Sequence, residues 1–512
     1  MLLKVCRLGY RLEGIPLKNL LTKQERRWFY FIEKLTENDD WMILADLSSL
    51  LDCSKRILKM DILYLNEEFD DFTIHTSNKG IKIEYNPNRS FNTFCQKLLV
   101  ISDTYSLLEI VFLNENIKVN EISEKLDISL STLYRMIDQL NTRTEENFGF
   151  IIATGPCRIS GDEEKIRLFF YTYFFEKYRY LNWPFNEIDL KTINDIIHKF
   201  VLSQTDSYDF VYFNVISVVA AVNYIRYKNN HLIEIDKNDA VIGQLPLTAN
   251  NNIGSSDQIE ETLGLPLNEE FISQVLNPFL QPEIYHTHQD FMVALENDSH
   301  LKSVMEKFRA ILSDIATKNN LQISNLETVM YVLYNAASME YKQPQASHIL
   351  FDRNGFFANQ IKKQFPIFHK SLYDGMHELR AVLDRPITEA GINFYIFTVV
   401  SWWDNLVPEL HHNQYNIKVL VISDRHQSHA KMIKDFIACE FGEKLSLQTT
   451  HSIYLDSEMI DLSDYDLIIS SYMDKNLSKY RNIYISNIPQ REDLDHIKKH
   501  VDDILASRLI PL

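Results

Sequence analysis

The sequence predicts a mainly α-helical, multidomain protein with two winged helix-turn-helix modules at its N-terminal end and a small α/β unit at its C-terminal end. Three observations lead to this prediction. The 512 residues include only 13 glycines and 14 prolines, and apolar residues recur every three or four positions over long stretches. The same order of helices followed by a hairpin occurs twice near the N terminus. The last part of the chain alternates short apolar runs with helical segments.

The composition is that of a globular protein, and its charge argues against a protein that coats nucleic acid. Lys and Arg number 52 and Asp and Glu 70, which gives a formal net charge of −18. Because binding responds to the local field, a small basic surface on an acidic body is still compatible with DNA binding. At roughly 150 residues per domain, the length predicts three to four domains' worth of chain.

The cysteines and the apolar runs predict a cytoplasmic protein with no membrane partner. The five cysteines are single, so neither a disulfide framework nor a structural zinc site is expected. They are Cys6, Cys53, Cys95, Cys157 and Cys439. The longest apolar stretch, near residues 215–222, is far shorter than the roughly 20 residues that cross a bilayer. The sequence has no phosphate-loop, nucleophile-elbow or zinc-protease motif, so we predict no enzyme, cofactor or metal.

The first predicted module contains three helices and a β-hairpin. Ser54 can cap the third helix, and two runs with period 2 around Asn78-Lys79-Gly80 predict the hairpin. The first helix ends with Trp28–Leu35, and a short second helix is marked by Ile43, Leu47 and Leu50. The third helix has Leu58, Ile62 and Leu65 on its inward side, and the strands are predicted at Phe72–Thr76 and Ile81–Tyr85. This order is that of a winged helix-turn-helix.

The second predicted module repeats this order. Its elements are a helix at Leu98–Leu113, a second helix marked by Val119, Ile122 and Leu126, a turn at Asp127-Ile128, a third helix at Ser129–Leu140, and strands at Phe150–Thr154 and Cys157–Ser160. Two successive copies arise by accident less readily than one, which strengthens the prediction for both.

The outward faces of the two third helices are predicted to contact DNA. A major groove about 12 Å wide admits one helix, whose outer face must offer polar or cationic groups. The predicted contacts are Lys55, Arg56 and Lys59 on the first helix, and Ser131, Thr132 and Arg135, joined by Gln139, on the second. The basic triplet suits phosphates, whereas the second set suits base edges or phosphates equally. Lys79 and Lys82 on the first wing could add a backbone or minor-groove contact.

Two other interpretations of these faces stay open. Three cations on a helix are often only a solvated face, and winged helices also serve as protein-interaction modules. Acidic residues argue against DNA contact by the second module more than by the first. They are Glu121, Glu124, Asp138, Glu145 and Glu146.

Two segments resemble a known family. Val119–Arg135 and the following Arg158–Phe169 are similar to the second helix-turn-helix and linker of Mga/AtxA-type virulence regulators of Gram-positive bacteria. The resemblance implies two DNA-binding modules, two phosphotransferase-system regulation domains (PRDs) and a C-terminal domain similar to enzyme IIB. The implied domains are 1–88 and 89–161 for the winged modules, 162–285 and 286–410 for the PRDs, and 411–512 for the enzyme IIB-like domain.

The resemblance implies a DNA-binding transcriptional activator that is regulated through its PRDs and through dimerisation. The implied partners are promoter double-stranded DNA, a second copy of the chain bound through the C-terminal domain, the phosphocarrier protein of the sugar phosphotransferase system, and RNA polymerase. A phosphoryl group on a regulation domain adds close to two negative charges and can shift a helix packing or a dimer interface.

The middle of the chain independently predicts two helical bundles. Helices are expected at residues 166–180, 188–202 and 210–227, and again at 326–340, 356–365 and 392–406, with a break between Leu406 and Asn416. Where the family commonly has a phosphorylated histidine, this chain has Ser207-Tyr208-Asp209-Phe210 and Arg385-Pro386-Ile387-Thr388. The other histidines of the bundles are phosphoacceptor candidates only: His198, His286, His288, His369 and His377.

The C-terminal unit is expected to be a small parallel α/β sheet that lacks the cysteine of enzyme IIB. Strands are predicted at residues 417–423, 445–450, 466–471 and 482–486, with helices at 429–441 and 492–505. The loop Asp424–Ser428 after the first strand contains no cysteine, which argues against phosphoryl transfer through a thiolate. The resemblance implies a self-association surface instead.

Two rival functions remain at this point. One is a phosphoryl carrier or transferase of the sugar-uptake system with incidental N-terminal modules. The other is a PRD-containing RNA-binding antiterminator, but those proteins begin with a small β-rich module, whereas this sequence begins with duplicated helices and wings.

Overall fold

A computed structural model describes most of the chain and forms two compact units. The described residues are 17–38, 40–178, 182–201, 210–235, 256–277, 279–280, 283–285, 287–342, 348–383, 388–415, 417–442, 445–450, 462–473 and 475–509. One unit comprises Met1–Asp298, Tyr334–Gly355 and Thr388–Gly391, and the other comprises Ser299–Leu333, Phe356–Ile387 and Ile392–Leu512. No helix in the described ranges is long and apolar enough to cross a membrane.

The first module has the predicted order of elements. Thr22 and Glu25 form a capping box at the start of the first helix, and the Ser54 hydroxyl accepts a hydrogen bond from the Ile57 amide at the start of the third. After a short 3-10 helix at Leu17–Leu20, the elements are α1 (Lys23–Glu37), α2 (Leu44–Leu50), α3 (Lys55–Glu68), β1 (Phe72–Ser77) and β2 (Gly80–Tyr85). Of the apolar residues predicted to mark α2, only Leu47 is buried; Ile43 and Leu50 are exposed.

The second module also has a winged helix-turn-helix order, but two predicted helix bounds are wrong. The elements are α4 (Phe91–Ile101), α5 (Asp103–Leu113), α6 (Val119–Lys125), α7 (Leu130–Phe148), β3 (Phe150–Thr154) and β4 (Cys157–Gly161). The single helix expected at Leu98–Leu113 is divided by Ser102, whose extended backbone (ψ 115°) ends one helix and begins the next. The third helix continues to Phe148, where Gly149 ends it in the left-handed region (φ 65°).

The described residues that follow in this unit are mainly helical. The three helices expected first in the middle region are confirmed with shifted ends. The elements are α8 (Glu163–Tyr178), α9 (Leu190–Phe200), α10 (Phe210–Lys228), α11 (Ser256–Leu263), α12 (Glu269–Leu276) and α13 (His288–Asn297). Residues 216–226 of α10 are buried on all sides and are mostly apolar, which is typical of a helix packed at the centre of a bundle.

A second set of helices follows, and the segment between Leu406 and Asn416, expected to interrupt the helices, is itself helical up to Tyr415. The elements are α14 (Ser299–Lys318), α15 (Leu326–Lys342), α16 (Arg353–Gln364), α17 (Pro366–Val382), α18 (Glu389–Trp402) and α19 (Leu406–Tyr415). Pro408 lies in the first turn of α19. Backbone N–H groups in the first turn of a helix have no intrahelical acceptor, so a proline there costs no helix hydrogen bond. The proline therefore begins a helix at this point and does not interrupt one.

The C-terminal strands form a parallel sheet, as predicted. The elements are β5 (Ile417–Ile422), α20 (Gln427–Phe441), β6 (Leu445–Thr449), β7 (Leu467–Ser470), β8 (Asn482–Tyr484) and α21 (Arg491–Leu509). The strand order is β6-β5-β7-β8, and every pair is parallel. Helices α20 and α21 cover one face, where Ile433, Ile497 and Val501 pack on the inward side chains of β5 and β7.

Candidate nucleic-acid interface

The two helix-turn-helix units share the same turn, 75 positions apart in the sequence. In the first, the Ser48 hydroxyl donates a hydrogen bond to the Cys53 carbonyl, and the Cys53 amide donates to the Ser48 carbonyl at 3.1 Å. Ser123 and Ile128 make the same pair of bonds in the second, the amide bond again being 3.1 Å long. Asp52 and Asp127 both have positive φ (45° and 52°), and a serine follows each of these turns as the helix cap. The structure thus confirms the duplication.

Each wing is fixed to its third helix by one asparagine. Asn66 of α3 donates its side-chain amide to the Ile74 carbonyl and accepts the Ile74 amide, at 3.1 and 2.8 Å. Asn141 of α7 makes the same two bonds to Ile152, at 2.9 and 2.8 Å. The wing and the third helix therefore keep a fixed geometry in both modules. Gly80 is required in the first wing, since a Cβ there would lie 2.3 Å from the Met42 carbonyl oxygen.

The predicted cationic face of α3 is exposed and held in place from behind. Lys55, Arg56 and Lys59 are all exposed on one side of the helix. On the opposite side, the buried Asp61 accepts two hydrogen bonds from the Arg27 guanidinium at 2.6 and 2.9 Å and one from the Trp28 indole at 2.8 Å. The hydrogen bond to Asp61 raises the pKa of Arg27. These hydrogen bonds hold α3 on α1 and so determine which side of α3 faces outward.

The same face of α3 also carries exposed apolar side chains, which a search for polar and cationic positions does not reveal. Met60 is 60% exposed and Leu63 is 71% exposed. Side chains of this kind can contact the methyl group of thymine in the major groove. The outer surface of α3 is thus a mixed cationic and apolar surface.

The outer face of α7 places its predicted contacts unequally. Ser131 and Arg135 are exposed, and Thr132 is half-buried. The hydroxyls of Ser131 and Thr132 each lie 2.9 Å from the hydroxyl of Ser129, which caps the helix. Both hydroxyls therefore already have a partner, whereas Arg135 supplies an exposed positive charge on this face.

Matching the two modules position by position shows that their contact residues are not equivalent. With the offset of 75, Arg56 corresponds to Ser131, Lys59 to Tyr134, and Arg135 to Met60. Tyr134 is itself 51% exposed. The two scaffolds are alike, but they present different chemistry at each outward position.

The two lysines of the first wing differ in exposure. Lys79 is exposed at the tip of the first wing, but Lys82 is half-buried on β2, where it pairs with His75 across the hairpin. Of the two, Lys79 is the more accessible to a DNA backbone.

Buried ion pairs join the second module to the helical region that follows it. Arg226 of α10 donates to Glu163 at the start of α8 at 2.6 Å and lies 3.6 Å from Glu115, in the loop between α5 and α6. Burial opposes ionisation of Glu163, but the hydrogen bonds and charges of Arg226 and Arg167 outweigh it and lower the pKa of this carboxyl. Sequence patterns did not reveal this network, because its members are far apart in the chain.

The candidate histidines lie in several environments. His198 is exposed near the end of α9, His288 is exposed at the start of α13, His369 is buried in α17, and the half-buried ring of His377 lies 4.6 Å from that of Tyr373. His286, Ser207–Asp209 and Arg385–Ile387 lie outside the described residues, as does Cys6. The other four cysteines are free thiols in the structure.

Duplicated winged helix-turn-helix modules with cationic and polar outward faces, followed by a long helical region, define a DNA-binding transcriptional regulator. Comparison with known families gives three matches: the M protein trans-acting positive regulator (MGA) HTH domain at residues 22–81, the Mga helix-turn-helix domain at 87–174, and the MGA PRD domain at 188–406. The chain belongs to the Mga/AtxA-type family of transcriptional regulators.

Full-length relatives agree with this assignment. A protein of Streptococcus pneumoniae serotype 4 described as a trans-acting regulator is 26% identical over 475 residues, which cover 92% of this chain and 96% of the relative. The capsule synthesis positive regulators AcpA and AcpB of Bacillus anthracis are 21% and 20% identical. The AcpA match covers 90% of this chain and 96% of the relative, and the AcpB match covers 94% and 99%.

Proposed function

We propose that the chain activates transcription by placing α3 and α7 on promoter double-stranded DNA. The observation that carries this proposal is the pair of modules with the same turn, cap and wing attachment, each with an exposed polar or cationic face. The names of AcpA and AcpB, both positive regulators, support activation over repression. In this proposal the first face, with Lys55, Arg56 and Lys59, neutralises phosphates, and Arg135 contacts a base edge or a phosphate beside Ser131 and Thr132.

The proposal includes regulation by the remaining domains. The winged modules occupy 1–88 and 89–161, two PRDs occupy 162–285 and 286–410, and an enzyme IIB-like domain occupies 411–512. The match to an MGA PRD domain supports regulation by the phosphocarrier protein of the sugar phosphotransferase system, since a phosphoryl group changes local charge and packing. Dimerisation through the parallel α/β unit would place two sets of modules on paired half-sites. RNA polymerase is the further partner that activation requires, and the proposed location is the cytoplasm.

A gel-shift titration across salt concentrations tests the DNA contacts. We expect the double substitution Lys59→Ala with Arg135→Ala to weaken binding of the full chain to a promoter duplex and to lower the salt dependence, because released counterions reflect phosphate contacts. Lys302→Ala with Lys307→Ala, on exposed positions of α14, removes the same charge as a control. An unchanged affinity and salt slope in the first variant would remove this site assignment.

The same preparation separates the proposal from its two rivals. Retained binding to a transcript hairpin without binding to any promoter duplex would favour an antiterminator. The chain can also be incubated with labelled phosphoenolpyruvate and the general phosphotransferase proteins. Stoichiometric phosphoryl label on a residue just after β5 would favour a phosphoryl carrier. Family membership supports neither outcome, since the matched family consists of transcription regulators.

A further inference from the structure

A basic groove lies beside the recognition helix of the first module. It has a volume of about 860 Å³ and opens between α1 and the turn that joins α2 to α3. Lys23, Arg26, Arg27 and Lys34 line it from α1, and Ser54 and Ile57 line it from the start of α3. These four cationic side chains compare with a single acidic lining residue, Asp52, so the groove carries a net positive charge.

Two of these cations have no carboxylate partner in the part of the chain that the structure describes. Arg27 is paired with Asp61 and Lys34 with Glu37, each at 2.6 Å. Arg26 instead donates a hydrogen bond to the side chain of Asn19 at 3.2 Å, and Lys23 is exposed at the rim. The positive charge of Lys23 and Arg26 is thus available to an anion from outside.

A third arginine increases this local field. Arg143 of α7 donates to the backbone carbonyl of Asn19 at 2.7 Å, so that Asn19 connects it with Arg26. Burial, and then the charge of Arg26, lowers the pKa of Arg143. The proximity of these two cations is unfavourable in the free protein, and a bound anion would relieve it.

The groove lies where a DNA backbone is expected in a helix-turn-helix complex. In such complexes the N-terminal residues of the recognition helix enter the major groove, so the phosphates at the edge of that groove pass close to the helix cap. Ser54 is the cap of α3, and Lys55 and Arg56 follow it directly. We propose that this groove binds phosphodiester groups of the DNA, with Lys23 and Arg26 as contacts additional to those of the recognition helix.

The second module does not carry the corresponding cations. At the offset of 75 positions, Lys23, Arg26 and Lys34 correspond to Leu98, Ile101 and Glu109. Glu109 is engaged by Lys177 and by the hydroxyls of Tyr173 and Tyr178. The groove therefore gives the first module phosphate contacts that the second lacks.

The inference rests on the proposed DNA binding, and a salt titration of the full chain on a random-sequence duplex tests it. Two lost phosphate contacts should lower the slope of log binding constant against log salt concentration by about 2. We expect this change for Lys23→Ala with Arg26→Ala, and a roughly tenfold weaker affinity at physiological salt. The charge-retaining pair Lys23→Arg with Arg26→Lys should keep the wild-type slope, as should the control Lys302→Ala with Lys307→Ala.

The outcomes distinguish this inference from the function on which it rests. If the wild-type chain fails to bind any duplex, the proposed function and the groove contact both fall. If the wild type binds, Lys59→Ala lowers the slope, and the Lys23→Ala, Arg26→Ala variant keeps it, only the groove contact is wrong. Calorimetry with inorganic phosphate provides a further check. If the wild type binds phosphate and the Lys23→Ala, Arg26→Ala variant does not, while the salt slope on DNA is the same for both, the inference is overturned and the groove is a site for a small anion.

Discussion

The two winged modules have the same scaffold and differ in nearly everything that faces outward. The turns, the serine caps and the asparagine that holds each wing correspond position by position. The outward positions do not, since Lys59 is matched by Tyr134 and Arg135 by Met60. The comparison teaches that the buried stripe and the turn determine the module, while the exposed face is free to take a different role in each copy.

The two modules also differ in their attachments. The first carries the cationic face and the basic groove beside it. The second has one cation on its outer helix face, but its largely buried Glu115, which lies 3.6 Å from Arg226 and 3.0 Å from His231, fixes it to the helices that follow. We infer a division in which the first module supplies affinity for the backbone, and the second supplies discrimination and connects DNA contact with the regulatory helices.

The largest expected effect tests the attachment of the second module. Arg226→Met removes the buried cation that Glu115 of the second module and Glu163 of α8 share, and breaking a buried pair in this way costs about 3 to 5 kcal/mol. Urea unfolding of the full chain should show a correspondingly less stable transition. Lys228→Met is the matched control on the same helix, because its pair with Glu187 is exposed and contributes no more than about 1 kcal/mol. Equal losses in the two variants would contradict a specific role for the buried network.

A second prediction concerns the division between affinity and discrimination. Arg135→Met should reduce the preference for a promoter duplex over a random duplex by about 1 to 3 kcal/mol, the usual value of a good base contact. Lys59→Met should instead weaken binding to both duplexes alike and lower the salt slope by about 1. Fluorescence anisotropy on the two duplexes measures both quantities. If the two substitutions change them in the same way, the proposed difference between the modules is wrong.

A third prediction tests the similarity of the scaffolds. Asn66→Ala and Asn141→Ala each leave a strand amide and carbonyl of the wing without partners, at an expected cost of about 1 to 2 kcal/mol in each module. Thermal unfolding and hydrogen exchange of β1 and β3 amides should show similar losses. Thr142→Ala, on the exposed neighbouring position, is the control. A loss confined to one module would show that its wing is held by something other than this asparagine.

The smallest expected effect is on the pH dependence of stability. Because the pKa of Glu163 is lowered in the folded protein, its ionised form contributes stability that is present above the ordinary glutamate pKa. That contribution is lost as the pH falls through the lowered folded value. Unfolding midpoints measured from neutral to acidic pH should fall less steeply in Glu163→Gln than in the wild type. Parallel curves would show that another carboxyl carries the dependence.

Much of the fold could be predicted from the sequence, because it depends on local patterns. The stripe of Leu58, Ile62 and Leu65, the cap at Ser54 and the turn before Gly80 each act over a few residues. The division of α4 from α5 was missed, because the apolar pattern continues through Ser102 and a single extended residue leaves no trace in it. A proline was misleading at residue 408, since its effect depends on its position within a helix turn.

The candidate site was predictable only in part, for a different reason. The exposed cations of α3 follow from helix periodicity, which also predicts which positions face outward. The pairs Arg27 with Asp61 and Glu163 with Arg226 join residues that are far apart in the sequence, as do the two sides of the basic groove. No local pattern carries that information.

Hydroxyl-radical footprinting of a bound promoter fragment tests the central claim most directly. If α3 and α7 both contact DNA with separate roles, the wild-type chain should protect two backbone segments. The combined Lys55→Ala, Arg56→Ala and Lys59→Ala variant should lose one of them, and Arg135→Ala should weaken the other. A single protected segment that responds to neither variant would contradict the account.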